Sequence, residues 1–208
     1  MPPTATQSIF DKVRAVDYSD FFVMREASKP NAVRVDEPRG AVGVRANEVA
    51  TGAWLPKEPL RFVQYEGKEW CDFVGSQYAS LRLFSTRILD AFSAAGVTGW
   101  QGAPVVVASK SRKPVANYAL LVVTGRSGRL DNSLSVQTDW LLRGKPTGKK
   151  VWKGLYFEAG TWDGSDVFAP SGTALFIVTS KVKAVLEREQ ATNIKLEPLS
   201  EVVRAMLM

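Results

Sequence analysis

The sequence predicts an α+β fold of mostly antiparallel strands with short helices, containing a twofold internal strand-helix-strand repeat. Three observations predict it. No helical pattern runs beyond about three turns. Apolar runs of strand length recur along the chain. The stretch VTGWQGAP at 97–104 returns as ATNIKLEP at 191–198, setting Thr98 on Thr192 and Pro104 on Pro198, 94 positions on.

The same gapless shift sets Asp72 on Asp166, Leu83-Phe84-Ser85 on Ile177-Val178-Thr179, Arg87-Ile88 on Lys181-Val182 and Phe92 on Leu186. Each copy reads as a strand, a short helix, a turn and an extended segment ending near a proline. The units run over about 67–107 and 161–201 of a single domain spanning 1–208, with a basic central segment, 108–153, between them.

The N-terminal third, with DYSDFFVMREA and later Gly and Pro, reads as strands and loops. LRLFS at 81–85 is a strand, and Ser85 or Thr86 is a hydroxyl fit to cap a helix. Ile88, Leu89 and Phe92 then share one helical face. Gly96 suits the left-handed end of that helix. PVVVAS at 104–109 and YALLVVTG at 118–125 are strands, and TGRSGR at 124–129 has the glycines of a hairpin or short loop. RGKPTGKK at 143–150 combines a proline, two glycines and four cations, the composition of an exposed loop. ALFIVT at 174–179 is apolar enough for a strand buried on both faces. Thr179 or Ser180 caps the second helix, whose inner face is Val182, Val185 and Leu186. Gln190 stands where the first copy has Gly96, which predicts a less sharp ending. SEVVRAMLM at 200–208 reads as a short helix, capped by Ser200 and docked by Val202, Val203, Met206 and Leu207.

Composition narrows the function. The one cysteine, Cys71, excludes an intrachain disulfide and any CxxC motif, and suits a reducing cytosol. The opening MPPTATQSIFDKV has no basic stretch leading into an apolar run, and no segment approaches the length of a membrane span. The expectation is a cytoplasmic protein with no membrane partner. Histidine is absent, which removes Ser-His-Asp and Cys-His nucleophile pairs and the common zinc sites. The expectation is a non-enzymatic protein with no catalytic residue, no metal and no cofactor.

The net charge of +6 is concentrated, since residues 108–153 hold ten basic and two acidic residues. Aromatic residues Tyr118, Trp140 and Trp152 lie among them, a pattern compatible with nucleic acid as the alternative partner. Residues 143–153 gather five cations and a tryptophan. Arg143, Lys145, Lys149, Lys150, Trp152 and Lys153 are therefore the candidate partner-binding residues.

Other motifs have simpler readings. Ser180-x-x-Lys183 fits the serine–lysine pattern of penicillin-recognising enzymes, but the KPTG at 145–148 has Pro146 where their KTG element runs on. Glu187-x-Glu189 matches the acidic pair of some ADP-ribose transferases, and equally the charged outer face of a helix. WDGSD at 162–166 lacks the spacing of a calcium loop, and GRSG at 125–128 lacks the lysine of a phosphate loop.

One family pattern runs through these segments. Gly154, Phe157, Trp162, Asp166 and Phe168 precede a strand ending near Ser180, then a short helix, then a turn through Thr192, Asn193 and Ile194 to Pro198. Ser85, Gly96, Val97, Thr98, Gly99, Trp100 and Pro104 echo it in the first copy. Over roughly 66–200 the chain resembles a family of bacterial immunity proteins, first defined around myxobacterial examples and encoded beside polymorphic toxins. The resemblance implies a protein that binds and neutralises a cognate toxin by protein–protein contact. It brings no catalytic residue. Inhibitors of basic nuclease toxins are often acidic; the basic centre of this chain instead implies a toxin with an acidic surface, or a contact through the acidic C-terminal third.

Overall fold

The computed structural model describes residues 16–36 and 45–205. The opening segment MPPTATQSIFDKV, 1–13, lies outside the described residues. In chain order the strands and helices are β1 (Phe21–Glu26), β2 (Arg34–Asp36), α1 (Ala46–Ala50), β3 (Leu60–Glu66), β4 (Phe73–Ser76), β5 (Arg82–Ser85), α2 (Thr86–Ala94), β6 (Trp100–Ala108), β7 (Pro114–Val115), β8 (Tyr118–Val123) and β9 (Gly125–Ser127). They continue with β10 (Leu130–Asp131), β11 (Val136–Leu142), β12 (Lys145–Lys153), β13 (Tyr156–Phe157), β14 (Val167–Pro170), β15 (Ile177–Thr179), α3 (Ser180–Arg188), β16 (Ile194–Pro198) and β17 (Val203–Ala205). Strands dominate, helices are few and short, and most pairings are antiparallel, an architecture consistent with an α+β or a mainly β class.

Two sheets carry the core. The larger has the order β3-β2-β4-β5-β8-β6-β7, and a further parallel pairing of β3 with β6 closes six of its strands into a barrel. The other has the order β16-β1-β15-β14-β9. The run β6-β8-β5-β4-β2 in the first matches it strand for strand. In each the last pair is parallel and the other three are antiparallel. The matching strands are exchanged along the chain: β1 lies beside β15 and β16, and the chain then crosses to place β2 against β4.

The helices form for the reason their spacing gives. Ile88, Leu89 and Phe92 of α2 are buried, as are Val182, Val185 and Leu186 of α3. Ser85 and Thr179 hold the N-cap positions, but neither hydroxyl bonds to its helix. Ser85 Oγ donates to Asp72 Oδ1 (2.6 Å), and Thr179 Oγ1 donates to Asp166 Oδ1 (3.1 Å). A carboxylate just before each unit's first strand competes for the hydroxyl, and an acceptor with full charge is the stronger partner. Gln190 also corrects the reading: its φ of 49° puts it in the left-handed region, as Gly96 is at 61°, so both helices end equally sharply.

Two further segments differ from expectation. Residues 125–127 form β9, paired in parallel with β14, rather than a hairpin. The C-terminal stretch is a single 3-10 turn, Leu199–Glu201, followed by β17. Val202 is buried and Val203 exposed, the alternation of a strand, and Val203 pairs with Lys153. Met206 and Leu207 lie outside the described residues.

The core has two clusters. The larger gathers the barrel interior and the inner faces of α2 and α3. The smaller is aromatic: Phe21, Phe157, Trp162 and Phe168 meet edge-on or tilted. Phe157, Trp162 and Phe168, three of the family-pattern residues, thus serve packing. Among the described residues no helix is long and apolar enough to cross a membrane.

Candidate partner-binding surface

Residues 136–153 form a β-hairpin, where the sequence reading places a loop over 143–150. Leu142 pairs with Lys145, so the turn is only Arg143 and Gly144. Their φ values, 50° and 78°, are both left-handed. Two consecutive residues of this kind match the twist of the flanking strands, which is why two-residue hairpins use them. The ladder is interrupted between Asp139 and Leu141, and there Thr147 Oγ1 donates to Trp140 O (2.8 Å). β17 pairs on the far side of β12, leaving β11 as an outer strand of the three.

The six candidate residues separate into three groups. Lys150 pairs with Asp139 (2.8 Å), and Lys153 with Glu201 (2.9 Å). Arg143, Lys145 and Lys149 have no carboxylate partner among the described residues, although Lys149 Nζ lies 5.9 Å from the centre of the Trp140 ring. Trp152 is half-buried in the middle strand, between Gln137 on β11 and Arg204 on β17.

Sequence reasoning named Trp140 only among the aromatics of the nucleic-acid alternative, and missed Val136, Leu141 and Leu142 beside these cations. Val136, Trp140, Leu141 and Leu142 are all exposed, Leu142 at 62% and Trp140 at 48%. Trp140 is the exposed tryptophan; the other five are half-buried. The available signal was WLLRG, three large apolar residues running straight into a cationic turn. No strand alternation assigns all three to a core face.

The rest of the basic segment does not join this surface as one continuous element. Lys110, Arg112 and Lys113 belong to the turn between β6 and β7. Arg126 turns inward, and its Nη1 donates to the carbonyls of Val123 and Gly125 at 2.7 Å, while Nη2 donates to Thr51 O.

The motif residues are also engaged elsewhere. Lys183 Nζ donates to Glu187 Oε1 (2.5 Å), four residues along its own helix, rather than to Ser180. Glu189 accepts from Arg87 and Arg188. Asp163 accepts from the backbone N–H of Arg126 and of Ser165, as a turn carboxylate does. Cys71 is buried, and burial pushes its thiol up. Among the described residues no group of three or more Cys, Asp or Glu side chains is placed to hold a metal ion.

A cavity of about 780 Å³ lies between the 3-10 turn Tyr18–Asp20, the 159–166 segment and the start of α3. Asp166 and Lys181 line it, and both are committed. Lys181 Nζ donates to Asp166 Oδ2 (3.0 Å) and to Gly96 O (2.6 Å). Burial opposes the charge on Asp166, but hydrogen bonds from Thr98, Lys181 and Thr179 outweigh it and hold its pKa below the ordinary carboxylate value.

No protein-family model and no curated protein matches the chain.

Proposed function

We propose that this chain is a non-enzymatic immunity protein that binds a cognate toxin through the β11–β12 hairpin. The observation that carries the reading is the exposed cluster of Trp140, Leu141 and Leu142 beside Arg143, Lys145 and Lys149. Large exposed apolar side chains rimmed by charge mark protein contact surfaces. The family resemblance of residues 66–200 and the missing histidine support the same reading. The partner it fits presents an apolar recess with acidic residues around it. A hairpin alone is smaller than a stable interface, which buries roughly 1,200–2,000 Å² in total, so the neighbouring sheet contributes contacts.

Nucleic acid is the second reading. Lysine and an aromatic ring on one strand favour it. The exposed aliphatic Val136, Leu141 and Leu142 favour protein, since stacking on bases needs rings and phosphate contact needs charge. Co-expression with the toxin encoded beside this chain tests the proposal. The expected result is restored growth and a complex that survives purification. Growth arrest with no complex removes it, and salt-sensitive binding of DNA or RNA by the purified chain would put the second reading in its place.

We further infer that the 67–107 and 161–201 units are two copies of one ancestral unit within a single domain. The shared strand order, and the start of β4, α2 and β6 each 94 positions before β14, α3 and β16, support this. The exchange of β1 and β2 between the sheets supports one domain. Limited proteolysis should then release no stable half.

A further inference from the structure

A cleft of about 220 Å³ lies between β1, β2, β4 and the start of β5. It gathers three arginines, Arg25 from β1, Arg34 from β2 and Arg82 from β5, against one lining carboxylate, Glu26. Arg34 Nε is 3.8 Å from Glu26, and Arg25 Nη2 is 3.5 Å from Glu197 on β16. Arg82 lies over the Phe176 ring at 3.7 Å, donating from Nε to Ala79 O (3.2 Å) and from Nη2 to Ala174 O (3.3 Å). The Ser76 hydroxyl donates to Tyr78 O.

Each arginine keeps one buried nitrogen with no hydrogen-bond partner among the described residues: Nε of Arg25, Nε of Arg34 and Nη1 of Arg82. An unmet guanidinium donor is costly, most so at Arg82, since the Arg25 and Arg34 side chains are 39% and 42% exposed and open to the cleft's solvent. What the cleft offers an oxyanion is the three guanidinium groups that line it, whose forked donors match the acceptor geometry of phosphate, sulfate and carboxylate. Burial, with the Arg25 charge next to it, brings Arg82 down to about 10, so it remains a cation at neutral pH.

The fold itself does not require this cluster. By register, the place of Arg82 in the matching sheet belongs to Phe176, that of Arg25 to Val122 and that of Arg34 to Arg126. Two of those are apolar, and the third is satisfied by backbone carbonyls. The arginine cleft is thus a feature of one half only.

We propose that the Arg25–Arg34–Arg82 cleft is a binding site for a small oxyanion of the phosphate, sulfate or carboxylate type. Calorimetry and thermal unfolding of the full chain in inorganic phosphate, acetate and chloride, at matched ionic strength, test it. The expected result is saturable binding of phosphate or acetate and a raised Tm relative to chloride. Arg25→Gln and Arg34→Gln should each weaken that binding by roughly ten-fold or more, while Arg188→Gln, an exposed cation on α3, leaves it unchanged. A response to phosphate alone assigns the site to phosphate groups, and an equal response to acetate assigns it to carboxylates. Indistinguishable behaviour in all three salts overturns the proposal, as does full affinity in a folded arginine variant.

Discussion

Asp72 and Thr192 hydrogen-bond each other three times across 120 positions of chain. Asp166 and Thr98 repeat the arrangement across 68 positions, with each aspartate reaching the threonine of the other unit. Arg87 joins the first pair at 2.8 Å and Lys181 the second at 3.0 Å. These two clusters tie the sheets together, in addition to the chain crossings between them.

Removing one carboxylate leaves several donors unmet. Asp72→Ala removes the acceptor of the Thr192 N–H and of the Ser85 hydroxyl, while Arg87 keeps its bonds to Glu189, so a loss of about 2 kcal/mol is expected. Asp166→Ala should cost less, because Asp166 is the less buried of the two carboxylates. Urea unfolding of both variants checks the order. Equal stability of Asp72→Ala and the parent would show that this cluster does not hold the sheets.

The same clusters set an acid limit. Burial opposes ionisation of Asp72, yet hydrogen bonds from Ser85, Thr192 and Arg87 outweigh it and hold its pKa below the ordinary value, as happens at Asp166. A depressed native pKa adds stability that is fully present above the unfolded pKa of about 3.9. That stability is lost as pH falls through the native value. Stability should therefore drop below about pH 4, and the drop should be shallower in Asp72→Asn and Asp166→Asn. An unchanged slope in both variants would place the acid sensitivity elsewhere.

Much of this was legible beforehand. The helical faces are periodic in the sequence, and Asp72 with Asp166 and Thr98 with Thr192 already align at one offset. That each aspartate meets the threonine of the other unit was not legible, since an offset gives equivalence and not contact. The hairpin was missed because Pro146, Gly144 and Gly148 are ordinary loop residues by composition. Their effect here depends on backbone angles, with Arg143 adopting a conformation usually left to glycine or asparagine. The arginine cleft was invisible for a related reason: Arg25, Arg34 and Arg82 come from three separate segments in a region of zero net charge.

Gln190 offers a stabilising change. Its left-handed φ of 49° carries a penalty that glycine avoids. Gln190→Gly should raise stability by about 1 kcal/mol, and Gly96→Gln should lower it by a similar amount. At Gly96 a Cβ would meet nothing within 4 Å, so the effect there is conformational and not steric. Thermal unfolding of the pair checks both signs, and a loss of stability in Gln190→Gly would refute the account.

The last prediction separates the two tryptophans of the hairpin. Trp152 is half-buried on the central strand, flanked by β11 and β17. Trp140 is exposed on the outer strand, with the Lys149 ammonium nearby. Truncating a packed ring costs stability, whereas truncating an exposed ring that anchors a partner costs affinity, chiefly through faster release. Trp152→Ala should therefore lower the Tm of the free protein. Trp140→Ala should leave it nearly unchanged and raise the dissociation rate of the complex with the proposed toxin partner. Replacing Arg143, Lys145 and Lys149 by Ser should instead slow association and weaken its salt dependence, since these cations lack a carboxylate partner among the described residues and act at a distance. Lys150→Ser should do less, because Asp139 already neutralises that amine at 2.8 Å. Surface-captured toxin and stopped-flow association at two salt concentrations read both rates. Unchanged dissociation of the Trp140→Ala complex, together with unchanged association of the triple variant, would remove the hairpin from the interface.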